Sequence, residues 1–292
     1  MDDPSFGKVL CNQLIEEVGD MKIPFQTALI TGSSRGLGRG IAVKLAREGV
    51  KKIAVHYLTR KDEAEKTVSQ LRDAGADGVL VQGDTSNASR AEEIIHEAAH
   101  QLGGCDIFVQ SVIPRLEDIY EHTLATEVPL AKWQLAFDTQ VRAFFVGARA
   151  AAKYMTRGGR ILALSYTPGG RTGGWQPWVG MGAAKAALDS TCRYFAVALG
   201  RYGITVNSVS PGCCDDTTVL GQTPQEVQDA IKHWAEAGWT PMRRLGTPED
   251  IANVCALLCS EEAGFVTGQT ISVDGGSSLM NPDFPLPLQV PA

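Results

Sequence analysis

Along most of the chain, short apolar runs alternate with segments of helical period, and this alternation constrains the fold more than any other feature. From Thr27 it gives Ala28-Leu29-Ile30 and then a helix through Ala42–Ala46. Ile53-Ala54-Val55 is followed by a charged helix from Arg60, Gly78-Val79-Leu80-Val81 by Ala91 to His100, and Ile107-Phe108-Val109 by a long helix from Leu130 to Met155. The second half repeats the scheme with Ile161-Leu162-Ala163-Leu164, a helix from about Gly180 to Tyr202, Ile204 to Val209, a helix from Pro248 to Cys259, and Thr270-Ile271-Ser272-Val273. Parallel strands need a long crossover between them, and a helix is the usual one. The pattern therefore predicts an α/β fold, a doubly wound parallel sheet of about seven strands with helices on both faces.

No linker long enough to separate domains interrupts the alternation. The expected organisation is an N-terminal extension over 1–24 with an amphipathic piece around Leu10 to Val18, one domain over 25–280, and a Pro-rich, irregular tail over 281–292 that could lie over a neighbouring subunit. The 292 residues can bury a substantial core, and the net charge of -6 argues against nucleic acid or an acidic membrane surface as partner, since either needs a basic face. The N-terminus lacks a basic start followed by an apolar run, and no stretch reaches the roughly 18 apolar residues of a membrane span, so the expectation is a cytoplasmic enzyme. The seven cysteines fall mostly in apolar runs and are read as reduced and structural, with Cys213-Cys214, which sits in a loop, set apart. No metal-ligand spacing stands out.

Thr31-Gly32-Ser33-Ser34-Arg35-Gly36-Leu37-Gly38 lies between the first strand and the first helix. Glycines at 32, 36 and 38 let the backbone turn tightly and approach a pyrophosphate, whose charge then faces a helix N-terminus. This is the layout of a Rossmann-type dinucleotide site. The second strand ends His56-Tyr57-Leu58-Thr59-Arg60-Lys61 without the acid that would bind a ribose 2′-hydroxyl, and Arg35 stands in the glycine loop, so NADP(H) is favoured over NAD(H). Arg60 and Lys61 are equally readable as a solvated helix start.

The spacing Thr-Gly-x-x-x-Gly-x-Gly resembles that of the short-chain dehydrogenase/reductase superfamily, and the resemblance extends from about residue 26 to 279. It implies that Asp84, with Thr85 after it, lies by adenine, and that Pro211-Gly212 of Ser210-Pro211-Gly212 turns beside the nicotinamide. Cofactor contacts are expected from Gly32, Ser34, Arg35, Gly36, Leu37, Gly38, Tyr57, Arg60, Asp84, Thr85, Gln110, Lys185, Pro211 and Gly212. The segments Arg243 to Asp250 and Gly268 to Gly276 are similar to those that contribute to a tetramer, so a homo-oligomer, dimer or tetramer, is expected.

Departures concentrate in the catalytic layer. The superfamily uses Asn, Ser, Tyr and Lys, with the tyrosine in Tyr-x-x-x-Lys. Lys185 fits the lysine, but Met181 stands four residues before it and cannot transfer a proton. In the enoyl-acyl-carrier-protein reductase branch, which Ser165-Tyr166, Val179 to Leu188 and Arg193-Tyr194 resemble closely, the tyrosine lies seven residues before the lysine. Trp178 holds that position, and an indole N–H can orient an oxygen without protonating it. The Asn-Asn-Ala-Gly after the fourth strand reads Gln110-Ser111-Val112-Ile113, the helix asparagine that holds a proton-relay water reads Gln140, and the loop Thr167 to Pro177, rich in glycine, is about two residues longer than in that branch.

Catalytic candidates are thus Tyr166, Lys185, Ser165 and Trp178. Tyr166 is the replacement acid, its pKa expected to fall near Lys185 and the nicotinamide charge, or else an aromatic anchor for the loop. Trp175 and Trp178 are walls of a pocket for a flat apolar substrate, or loop packing. Residues 213–245 are expected to cover substrate, with Gln225 to Ala237 helical and His233, Trp234 and Trp239 to be checked; His233 also reads as an ordinary surface histidine. The function expected is NADPH-dependent transfer of hydride to an activated C=C, C=O or iminium of an apolar or aromatic small molecule, in specialised metabolism. The alternative is a non-redox dehydration, isomerisation or cyclisation on an NADP(H)-binding scaffold.

Overall fold

The computed structural model describes residues 22–166, 174–215, 219–281, 283 and 285–289. The expected amphipathic piece near Leu10 to Val18 and most of the glycine-rich loop after Tyr166 lie outside them. Seven strands form one parallel sheet: β1 Thr27–Thr31, β2 Lys52–Tyr57, β3 Asp77–Gln82, β4 Ile107–Gln110, β5 Gly159–Leu164, β6 Ile204–Pro211 and β7 Thr270–Val273. Their spatial order is β3-β2-β1-β4-β5-β6-β7. The chain runs outward from β1 on one side and then returns to start β4 on the other, so a crevice opens above the C-terminal ends of β1 and β4.

The central strands are buried along almost their whole length because both faces are covered, and the period of two decides which residue faces which layer. Ala28, Ile30, Ile107, Val109, Leu162 and Leu164 pack with α1 Gly36–Arg47, α2 Lys61–Asp73 and α8 Pro248–Cys259. Their neighbours Leu29, Phe108, Ile161 and Ala163 face α3 Ala88–Leu102, α5 Ala143–Ala152 and α6 Val179–Leu199. Capping fixes several boundaries. Asn87 accepts from the Arg90 N–H at the start of α3, and Thr247 with Asp250 forms a reciprocal capping box at the start of α8.

The long helix expected from Leu130 to Met155 is not one regular helix. α4 Leu130–Phe137 passes through a π turn, Asp138–Arg142, into α5, and the change of hydrogen-bond pattern falls on Gln140. α7 Gln225–Trp234 likewise gives way to a π turn at Ala235–Trp239, with Gly238 at φ 115°. The tail expected to be irregular contains a helical turn, Leu286–Gln289; the Gln289 side chain bonds the Asn281 N–H and carbonyl at 2.8 Å each and so closes the segment locally. Among the described residues no helix is long and apolar enough to cross a membrane.

Candidate active site

β1 delivers the chain to Gly32 at φ +69°, and α1 begins at Gly36. A β-carbon on Gly38 would collide with the Gly32 carbonyl, so only glycine lets the helix close onto the turn. Arg35, the N-cap residue, makes no side-chain cap bond and the first turn holds no acid, so the α1 N-terminus presents backbone N–H groups to the crevice. This cradle fits the pyrophosphate of a dinucleotide.

A second layer holds the loop, and sequence reasoning missed it. Gly32 N–H donates to His56 Nδ1 at 3.0 Å, and Nε2 of the same ring reaches the Gly83 carbonyl at 3.0 Å. Because Nδ1 accepts, the proton sits on Nε2 and the imidazole is neutral. Burial lowers its pKa from 6.5 to about 4, opposed in part by the Gly83 bond. Arg39 braces the other side, joining Thr67 at 2.9 Å, Glu63 at 2.6 Å and the Ser34 carbonyl. A histidine inside an otherwise apolar strand was the available signal for His56; nothing local marked Arg39.

At the end of β2, Tyr57 is buried while Leu58, Thr59 and Arg60 are exposed. Glu63, on the first turn of α2, is occupied by Lys66 and Arg39, both at 2.6 Å. Those two cations lower its pKa to about 2, Lys66 first. Asp84 caps the turn after β3, accepting from Ser86 N–H at 2.8 Å, beside buried Thr85. At the far edge, Pro211 pairs with Val273, and Gly212 N–H donates to Val273 O at 3.0 Å.

Lys185 lies at the crevice floor, 5% exposed. Its Nζ donates to Gln140 Oε1 at 2.6 Å and to the Leu164 carbonyl at the end of β5. Gln140 in turn donates through Nε2 to Val112 O at 3.0 Å, and Gln110 Nε2 donates to Thr139 O at 2.9 Å. Glutamine is one methylene longer than the asparagine expected here, so it meets the lysine directly instead of through a water. Burial moves Lys185 down from 10.5 to about 7, with Asp189 pulling the other way.

Tyr166 departs from expectation. Among the described residues no hydrogen bond joins it to Lys185, and burial, with lesser contributions from Cys213 and Cys214, pushes its phenol up to about 12, not down. Its ring meets Trp178 edge-on at 6.3 Å. Trp178 stacks on Trp175 at 5.4 Å and has Tyr120 at 6.5 Å. Trp178 and Met181, the occupants of the two possible tyrosine positions, are both buried in one apolar cluster with Ile119, Ala136 and Ala184. Met181 is core and takes no part in proton transfer. His233 is exposed, as is Trp234, which stacks on Trp239 at 5.4 Å.

Three buried polar atoms at this end of the sheet have no hydrogen-bond partner among the described residues: Gln110 Oε1, Ser165 Oγ and Trp178 Nε1. Leaving each unsatisfied costs about 1–3 kcal/mol, which suits a surface that a ligand completes.

A glycine-turn dinucleotide cradle, a buried lysine and a crevice at the strand C-termini define a nucleotide-dependent α/β enzyme. The family model described as Enoyl-(Acyl carrier protein) reductase matches residues 32–278. The chain is 36% identical over 270 residues to 1-cyclohexenylcarbonyl-CoA reductase of Streptomyces collinus, covering 89% of each chain. It is 32% identical over 254 residues to 3-oxoacyl-(acyl-carrier-protein) reductase FabG of Staphylococcus aureus, covering 86% of this chain and 97% of that one. A short-chain dehydrogenase/reductase from Serratia marcescens superposes with TM-score 0.78 at 28% identity, over 89% of this chain and 100% of that one. The protein belongs to the short-chain dehydrogenase/reductase superfamily and is an oxidoreductase.

Proposed function

We propose that the protein is an NADPH-dependent reductase acting on an activated C=C, C=O or iminium of an apolar or aromatic small molecule. The observation that carries this reading is the pairing, across one crevice, of an uncapped helix N-terminus with a buried lysine and an aromatic wall. Reduced NADP would supply hydride there. Gly32 to Gly38 would hold its pyrophosphate, Arg35 and Arg60 its 2′-phosphate, Asp84 and Thr85 its adenine, and Pro211-Gly212 its nicotinamide end, with Gln110 alongside. Exposure of Arg60 and engagement of Glu63 by cations support the 2′-phosphate over a free 2′-hydroxyl.

Lys185, fixed by Gln140 and Leu164, would offer its remaining N–H to the ribose. Tyr166, protonated across any working pH because burial raises its pKa to about 12, would keep a proton at Oη for the reduced product. Trp175, Trp178 and Tyr120 would exclude water and wall a flat substrate, and residues 213–245 would cover it. The two relatives act, by their names, on an unsaturated thioester and a 3-oxo thioester. The unsaturated thioester needs little acid assistance at oxygen, in keeping with a site that has no tyrosine at either family position, whereas the 3-oxo group becomes an alkoxide that must be protonated. A reducing, cytoplasmic setting agrees with the reduced buried thiols, and a role in specialised metabolism with the rebuilt catalytic layer.

The test is stopped-flow absorbance of NADPH with 1-cyclohexenylcarbonyl-CoA and a 3-oxoacyl thioester. Consumption equal to product, with NADH at least about tenfold less effective, is expected. Tyr166→Phe should lower kcat about a hundredfold with NADPH affinity unchanged. Product formation at constant NADPH would replace this reading with the non-redox one.

A further inference from the structure

The orphaned indole of Trp178 has a use that its packing does not explain. The side chain is 6% exposed, held by a stack on Trp175 and an edge contact from Tyr166, yet among the described residues Nε1 has no acceptor. An aromatic needed only as filler at this place would be cheaper as phenylalanine, since a buried donor without a partner is destabilising. Trp178 closes the 3-10 turn Gln176–Trp178 and is the N-cap residue of α6, at φ −107°, so it stands at the start of the helix that carries Lys185. Ser165 Oγ, likewise unpartnered, stands at the end of β5 beside Tyr166.

We propose that Trp178 Nε1–H is a catalytic oxyanion donor, binding the substrate carbonyl oxygen as negative charge develops on it and never giving up its proton. The inference rests on the reductase reading and specifies how this chain replaces a tyrosine hydroxyl at that position. An indole N–H is a donor without useful acidity, so the oxygen it holds must be able to finish the reaction without being protonated. Conjugate reduction meets that condition. With a reduced nicotinamide bound to supply hydride to the β-carbon, the C=C electron pair would move onto the oxygen held by Trp178 as an enolate, and Tyr166, recharged by water, would give the α-carbon the proton that restores the carbonyl. An isolated ketone does not meet it, because its alkoxide must take a proton at oxygen. Trp178 thereby selects conjugated acceptors over isolated ketones.

The test uses 4-nitrophenol as an enolate mimic, read by absorbance without cofactor. The wild-type protein should bind the phenolate in preference to the phenol and lower the pH at which the bound probe ionises. Trp178→Phe should weaken phenolate binding about ten- to a hundredfold and phenol binding by less than about threefold. Trp178→Tyr restores a donor and should recover most of the phenolate affinity, which separates donor loss from misfolding. An undiminished phenolate preference in Trp178→Phe, with NADPH binding intact, overturns the assignment. So does reduction of cyclohexanone as fast as cyclohex-2-enone by the wild type. Absence of NADPH consumption with every acceptor would instead defeat the reductase reading, while the phenolate titration still reports on the donor.

Discussion

At the scale of single residues, the site depends on contacts that leave little slack. Lys185 reaches Gln140 at 2.6 Å, and Gln140 is tied to Val112 at 3.0 Å, so the ammonium is placed by a three-member chain that begins in a backbone carbonyl. Gln140→Asn retracts the acceptor by one methylene; NADPH affinity measured by fluorescence titration should fall about tenfold, and Lys185→Met should lower it further. The glycine turn was legible in the sequence because backbone geometry dictates it, and Lys185 because the family resemblance carried it. Tyr166 was legible as a candidate but not in its electrostatics, since burial against Trp178 is a tertiary property and reverses the direction expected from charge alone.

Among the elements, β2 does more than pair with β1. His56 faces the glycine turn from inside the sheet and fixes it through a neutral ring. The folded protein resists protonation of this ring until about pH 4, whereas the unfolded chain takes up the proton near 6.5. Between those values the unfolded state binds more protons, so stability falls as pH falls through that window and this contribution levels off below it. Across the full window the loss is about 3 kcal/mol, of which roughly two-thirds falls between pH 7 and pH 4.5. Urea titrations at pH 7 and pH 4.5 should show it, and His56→Asn, which retains an acceptor for Gly32, should flatten it. Strand and helix order were readable because the apolar runs are short and sharply bounded. The π turn at Asp138–Arg142 was not, since one extra residue in a helical turn leaves the apolar pattern on either side intact.

Over the whole molecule, several large apolar side chains among the described residues remain uncovered. Tyr194 and Val197 on α6 and Phe145 on α5 are exposed on one side, with Phe195 packed edge-on against Phe145. Phe265 is fully exposed, and Leu257 on α8 is half-exposed. The Tyr194 and Val197 face is where contacts between copies of this chain are predicted. Light scattering should give a multiple of 31.2 kDa, with Tyr194→Asp plus Val197→Asp reducing it and leaving the thermal transition of the remaining species cooperative. Oligomeric order was only implied by the C-terminal segments, because an exposed face of one chain does not say how many copies meet. The distribution of thiols offers a way to watch the site directly. Burial raises the pKa of Cys105, Cys192, Cys255 and Cys259, and Cys214 is enclosed, while Cys213 alone among the described cysteines is exposed, one residue past the Pro211-Gly212 turn. A maleimide fluorophore at that position would report cofactor arrival beside the Pro211-Gly212 turn as a change of colour or intensity.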